Sequence, residues 1–263
     1  GDAGCRGGLR KVPGGDLWTP LLRTFHRVNG SAAMIDAGPP PALLVSSSVS
    51  DFSYSAELGR KTLHLLALVI PLGMWTLGTP LALYVLALGA AVAAGADVLR
   101  AYSAPFNDWI RWIFGPLMRT EELPAVGTGV TFNGATCVLV GAALLTLIFP
   151  LRVAVPVLTM TMLADAAAAL VGRRVGRHPW GALSVTVEGT GAFVATGLGV
   201  MALFPALAFG PAAAGVLVAA VVEALPLPVN DNIRVPLVAA IVVAAGEALF
   251  FDQPMHLFAS IGA

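Results

Sequence analysis

From residue 63 onward the chain is a succession of apolar stretches broken by short polar segments. A helix that crosses a bilayer needs about 20 mostly apolar residues, and by that measure stretches 63–78, 80–99, 132–149, 151–171, 187–204, 206–225 and 233–251 predict about seven spans. The first is the shortest. Gly and Ala are dense in all of them (residues 90–96, 166–169 and 212–220), as expected where helix backbones approach closely in lipid. Between the second and third stretches, residues 100–126 follow a different pattern. Trp109, Ile110, Trp112, Ile113 and Phe114 interleave with Asn107, Asp108, Arg111 and Arg119. That pattern predicts an amphipathic helix in the membrane interface, with aromatics at headgroup level and arginines toward phosphates. A membrane anchor with no chemical role would produce the same pattern. The expected fold is therefore all-α: a polytopic transmembrane bundle with one interfacial helix.

Composition agrees. At 57% hydrophobic, 11% charged and a mean hydropathy of +0.83, the 263 residues hold more apolar surface than a soluble core of this size can hide. The first 33 residues are rich in Gly and Arg and contain no spanning run. The segment 6–11 is charged but lacks the apolar stretch a signal peptide needs, and residues 34–54 are rich in Pro and Ser. Residues 1–54 are thus expected to be a flexible or disordered extension, with translation starting nearer Met34, and residues 55–263 to be the integral-membrane catalytic domain. Cys5 and Cys137 form neither a disulfide pattern nor a metal-ligand pattern, and Cys137 reads as a small packed residue.

Formal net charge is zero, so the information lies in where the charges fall. If the spans alternate in direction, Arg60, Lys61, Arg100, Arg111, Arg119, Arg173, Arg174, Arg177 and Arg234 share one side, and Arg152 lies on the other. The positive-inside rule orients the basic side toward the cytoplasm. The turns on the opposite side, around Thr79, Pro150 and Pro205, are short and nearly uncharged. Chemistry is therefore expected at the cytoplasmic leaflet, and no nucleic-acid partner is expected.

Three polar clusters share that side. Asp165 sits inside the apolar stretch 151–171, where a carboxylate at mid-span costs roughly 2.5–3.5 kcal/mol unless it faces a partner, a cavity or a ligand. It is followed by Gly172-Arg173-Arg174-Val175-Gly176-Arg177-His178, whose glycines permit close backbone approach and whose guanidinium forks match phosphate oxygens. Membrane anchoring alone would explain the arginines but not Asp165. The second cluster is Thr186-Val187-Glu188-Gly189-Thr190. Glu188 either complements a helix dipole or holds Mg²⁺ together with substrate phosphates. The third, Asn230-Asp231-Asn232-Ile233-Arg234-Val235-Pro236, contains helix-capping residue types, but three consecutive amide or carboxylate side chains exceed what one cap requires. Glu223 lies just upstream.

The ordered set Arg60-Lys61-x-x-His64, Arg119-x-x-Glu122, Asp165-x-x-Ala168-x-x-x-Gly172-Arg173-x-x-Gly176, Thr186-x-Glu188-Gly189, and Glu223 followed by Asp231-Asn232-x-x-Val235-Pro236 resembles the polyprenol kinase family. That family includes dolichol kinase, phytol kinase and the CTP-dependent diacylglycerol kinases, and the resemblance covers nearly the whole membrane portion. It implies transfer of the γ-phosphoryl group of CTP to the hydroxyl of an isoprenoid alcohol or diacylglycerol. In that reading Asp165, Glu188 and Asp231 serve Mg²⁺ or alcohol activation. Arg119, Arg173 and Arg174 meet phosphates, and Gly172, Gly176, Arg177 and Gly189 complete the nucleotide site. Asn232 orients the triphosphate or caps the last helix, and His64 makes a polar contact near the first span. The middle section is also similar to phosphatidate cytidylyltransferases, but the Lys-Asp, His-Gly-Gly and closing Asp-Arg elements of those enzymes are missing. A third alternative is a transporter or non-catalytic membrane protein. One departure stands out: the kinase family carries Lys immediately before Thr-x-Glu-Gly, and this chain has Val185.

Overall fold

The computed structural model describes residues 59, 62–115, 118, 122–123, 125–181, 185–251 and 257–258. The extension expected over 1–54 lies outside them, as do Arg60, Lys61 and Arg119. Among the described residues the fold is all-helical, without strands. A helical turn at 62–66 leads into α1 (Val69–Leu77). Then follow α2 (Leu81–Tyr102), α3 (Ala104–Phe114), α4 (Gly134–Ile148), α5 (Leu151–Val175), α6 (Val187–Ala202), α7 (Phe209–Ala224) and α8 (Asp231–Phe250).

Every predicted apolar stretch falls on a helix, and length divides them. Three, α2, α5 and α8, are long and apolar enough to cross a membrane. The 25 residues of α5 extend about 37 Å at 1.5 Å per residue, beyond a hydrocarbon core of about 30 Å. Residues 62–77, α4, α6 and α7 are apolar but shorter. This content is consistent with an integral membrane protein.

The long helix α5 is the centre of the bundle, packed along α6 and touching α1, α4 and α8. Two-thirds of its apolar stretch is buried, against 22% for α2 at the periphery. Ala154, Ala164, Ala166 and Ala168 keep its surface low, so neighbours approach its backbone. Elsewhere glycines do the same. A Cβ at Gly197 of α6 would lie 2.7 Å from Val216 of α7, and one at Gly215 of α7 would lie 2.6 Å from Val243 of α8. By contrast, the outer faces of α1 and α2 expose Trp75, Tyr84, Leu88 and Val92, an apolar outside of the kind a helix presents to lipid.

The amphipathic segment folds as α3. Asn107 is buried, whereas Trp109, Trp112 and Phe114 face outward. Arg111, expected to reach toward phosphates, instead donates from Nη2 to the Leu123 carbonyl at 2.7 Å. Cys137 is buried and reduced, as its apolar surroundings predicted.

Candidate functional site

Polar contacts stitch several helix ends together. Asp97, near the end of α2, accepts from Thr136 in the first turn of α4. Asn232 at the start of α8 reaches the Gly134 carbonyl of α4 at 3.5 Å. Arg234, one turn into α8, donates to the Val222 carbonyl near the end of α7 at 2.7 Å. The end of α5 lies against the start of α6, where a Cβ at Gly189 would stand 3.3 Å from the Gly172 Cα.

Within this region lies a partly open cleft with about 380 Å³ of empty space, open solvent included. Its polar lining joins groups far apart in sequence: His64, Asp165 of α5, Glu223 of α7, and Asp231 and Asn232 of α8. The rest of the lining is largely apolar and includes Val138, Leu158, Met162 and Phe193. Asp165 is two-thirds buried, and its Oδ2 lies 3.4 Å from His64 Nε2. Asp231 is half exposed and paired through Oδ1 with the Arg234 guanidinium one turn on. Asn230, rather than Asn232, supplies the helix cap, its Oδ1 accepting from Asn232 N at 3.0 Å. The Asn232 side chain lines the cleft with its Nδ2 directed at the Gly134 carbonyl.

The Gly-Arg-Arg segment lies apart from these lining residues. Arg173 and Arg174 form the exposed last turn of α5, where cations complement the helix dipole. Residues 178–180 then lie against residues 185–187. Trp180 N donates to Val185 O at 3.1 Å and Val187 N to His178 O at 2.9 Å, and Gly181 stands at positive φ. Thr186 caps α6 by accepting from Gly189 N. Glu188 does not line the cleft. Its carboxylate accepts from His178 N at 3.3 Å and lies 2.6 Å from His178 Nδ1, joining the two segments.

The space a side chain would occupy at the three motif glycines is filled by protein. A Cβ at Gly172 would lie 3.1 Å from Thr186 Oγ1, one at Gly176 2.7 Å from the same atom, and one at Gly189 3.0 Å from the Ala168 carbonyl. Where the sequence reading had these glycines admitting a ligand, they admit the neighbouring helix.

Two buried carboxylates were not singled out from sequence. Asp97 is 2% exposed and fully engaged: Oδ1 meets Arg100 Nε and Asn133 Nδ2, both at 2.9 Å, and Oδ2 accepts from Asn133 N and Thr136 Oγ1. Glu247, also 2% exposed, accepts from Ala208 N at 2.6 Å and so caps α7. The available signal was the one that identified Asp165, a charge inside an apolar stretch.

Among the described residues, no three His, Cys, Asp or Glu side chains come together as a metal-binding group. The cleft lining carries three carboxylates, Asp165, Glu223 and Asp231; Mg²⁺ is usually held by one or two carboxylates together with substrate phosphates rather than by a protein-only cage. No protein-family model, curated protein or solved structure matches this chain.

Proposed function

We propose that the chain is a multi-pass lipid-alcohol kinase of the kind its motifs resemble, transferring the γ-phosphoryl group of CTP to the hydroxyl of an isoprenoid alcohol or diacylglycerol at the cytoplasmic leaflet. One observation carries this reading. Asp165, Asp231 and Asn232 line a single cleft whose remaining walls are largely apolar. An apolar lipid with one hydroxyl and a polar nucleotide must meet at the membrane surface, and this lining offers both polar and apolar side chains. The seven apolar helices are read as seven spans, the shorter ones accommodated by local thinning and interfacial anchoring. The Arg-rich ends face the cytoplasm and α3 lies in the interface.

In this mechanism Asp165, held by His64, accepts the hydroxyl proton as the alcohol oxygen attacks the γ-phosphorus. The bond from the γ-phosphorus to the bridging oxygen breaks, and CDP leaves. Asp231 faces the triphosphate, and Asn232 donates to a phosphate oxygen. When bound with the nucleotide, Mg²⁺ supplies the charge neutralisation that phosphoryl transfer requires. Arg173, Arg174 and Arg177 draw the nucleotide toward the site, and Glu188 orders the segment that follows them. Arg174, Arg177 or His178 takes the place of the cation missing at Val185.

The test is to incubate the purified protein, in lipid, with Mg²⁺ and CTP labelled at the γ or the α phosphate, together with candidate alcohols and phosphatidate. Label entering lipid from the γ position, and lost in Asp165→Asn, is the expected result and identifies the acceptor. Entry only from the α position would make the protein a cytidylyltransferase, and transfer from neither would overturn the enzymatic reading.

A further inference from the structure

Residues 122 and 131, ahead of α4, are both held by the buried Arg100 guanidinium. Arg100, 4% exposed, donates from Nη1 to the Glu122 carbonyl at 2.9 Å and from Nη2 to the Thr131 carbonyl at 2.8 Å, while Nε meets Asp97. The Glu122 side chain in turn accepts from Gly134 N at 2.8 Å, and Asp97 accepts from Asn133 N at 3.0 Å. Two backbone donors at the start of α4 are therefore satisfied by carboxylates that Arg100 orders, directly or through the backbone. Asn232 of α8 packs against that same helix. Its Nδ2 is 3.7 Å from where a Gly134 Cβ would be, and its carbonyl oxygen is 2.4 Å from where a Gly141 Cβ would be. Gly134 and Gly141 are two turns apart on one face, so α4 is the bed for the first turn of α8.

We propose that Asp97 and Arg100 are positioning residues for the cleft, acting through Glu122 and the first turn of α4 to set the place of Asn232. The inference rests on the cleft being the reaction site. The physical reason is that Arg100 makes three directional bonds from a planar fork. A lysine ammonium keeps the charge beside Asp97 but cannot hold Nε and both Nη positions at once. Substitution by lysine therefore loosens residues 122 and 131 without leaving a buried carboxylate unpaired.

The experiment is hydrogen exchange on the full chain in lipid, comparing wild type with Arg100→Lys, Glu122→Gln and Glu122→Ala. In Arg100→Lys, amides of α4's first turn and of residues 231–235 exchange roughly tenfold faster, while α6 and α7 keep wild-type rates. Glu122→Gln retains an acceptor for Gly134 N and exchanges as wild type; Glu122→Ala, which leaves Asp97 and Arg100 intact, accelerates both regions. Should Arg100→Lys fail to fold, Glu122→Ala decides alone. Acceleration confined to residues 97–136, with 231–235 at wild-type rates, overturns the proposal. Where the wild type transfers γ-label, Arg100→Lys is expected to raise KM for CTP or lower kcat, and unchanged constants also overturn it. A wild type that transfers nothing removes the kinase reading, and the exchange data still settle whether Arg100 sets Asn232.

Discussion

His64 Nε2 lies 3.4 Å from Asp165 Oδ2, joining the turn before α1 to the central helix at the edge of the cleft. The contact gives a mid-helix carboxylate a polar neighbour from the start of the membrane portion's sequence, as a carboxylate in an apolar stretch requires.

Asp165→Asn is expected to reduce γ-phosphoryl transfer roughly 100-fold or more, the scale of a lost general base, with thermal stability in lipid preserved because the volume is unchanged. His64→Gln is expected to cost less, since an amide keeps a polar group beside Asp165. Single-turnover label transfer measured beside a melting curve checks both. Full activity in Asp165→Asn would remove it from the chemistry.

Gly141→Ala and Gly134→Ala should separate. A methyl at 141 meets the Asn232 carbonyl at 2.4 Å and forces the start of α8 outward. At 134 the nearest atom is Glu122 Oε1 at 3.4 Å, an ordinary contact. Gly141→Ala is expected to lose label transfer, and Gly134→Ala to retain it.

The α5–α6 crossing gives a stability prediction independent of any activity. A methyl at Gly176 would lie 2.1 Å from the Gly172 carbonyl and 2.7 Å from Thr186 Oγ1. Gly176→Ala is therefore expected to destabilise by about 1–3 kcal/mol, as overpacking does. Gly191 in α6 has nothing within 4 Å, so Gly191→Ala is expected to be neutral or to stabilise by about 0.5–1 kcal/mol. Denaturation in mild detergent measures both, and equal effects would contradict the crossing.

Glu247 offers a fourth test, away from the cleft. Glu247→Ala leaves the Ala208 N–H without its acceptor and opens space between α7 and α8, for an expected loss of about 1–3 kcal/mol; Glu247→Gln keeps an acceptor and is expected to lose less. Equal melting temperatures for the two variants would show that the bond to Ala208 carries little.

The register of apolar helices was legible in the sequence because it depends on local quantities. The apolar stretches and the aromatic pattern of residues 104–114 are properties of short windows. Asp97 and Glu247 carried the same signal as Asp165, yet both stand close to the predicted end of a stretch, where a charge reads as one that reaches the interface. Their burial depends on which neighbour covers them.

The sequence by itself determined that this chain is built of apolar helices and that Asp165 stands inside one of them. Tertiary structure alone decided which polar groups meet: Asp165 with His64, Asp231 and Asn232 in one cleft, Glu188 away with His178, and Gly172, Gly176 and Gly189 against one another's helices. The reason is that meeting depends on how far each helix is rotated and how closely it crosses its neighbour. Those quantities are set by packing at small residues such as Gly141 and Gly197, whose partners lie in other helices far along the chain.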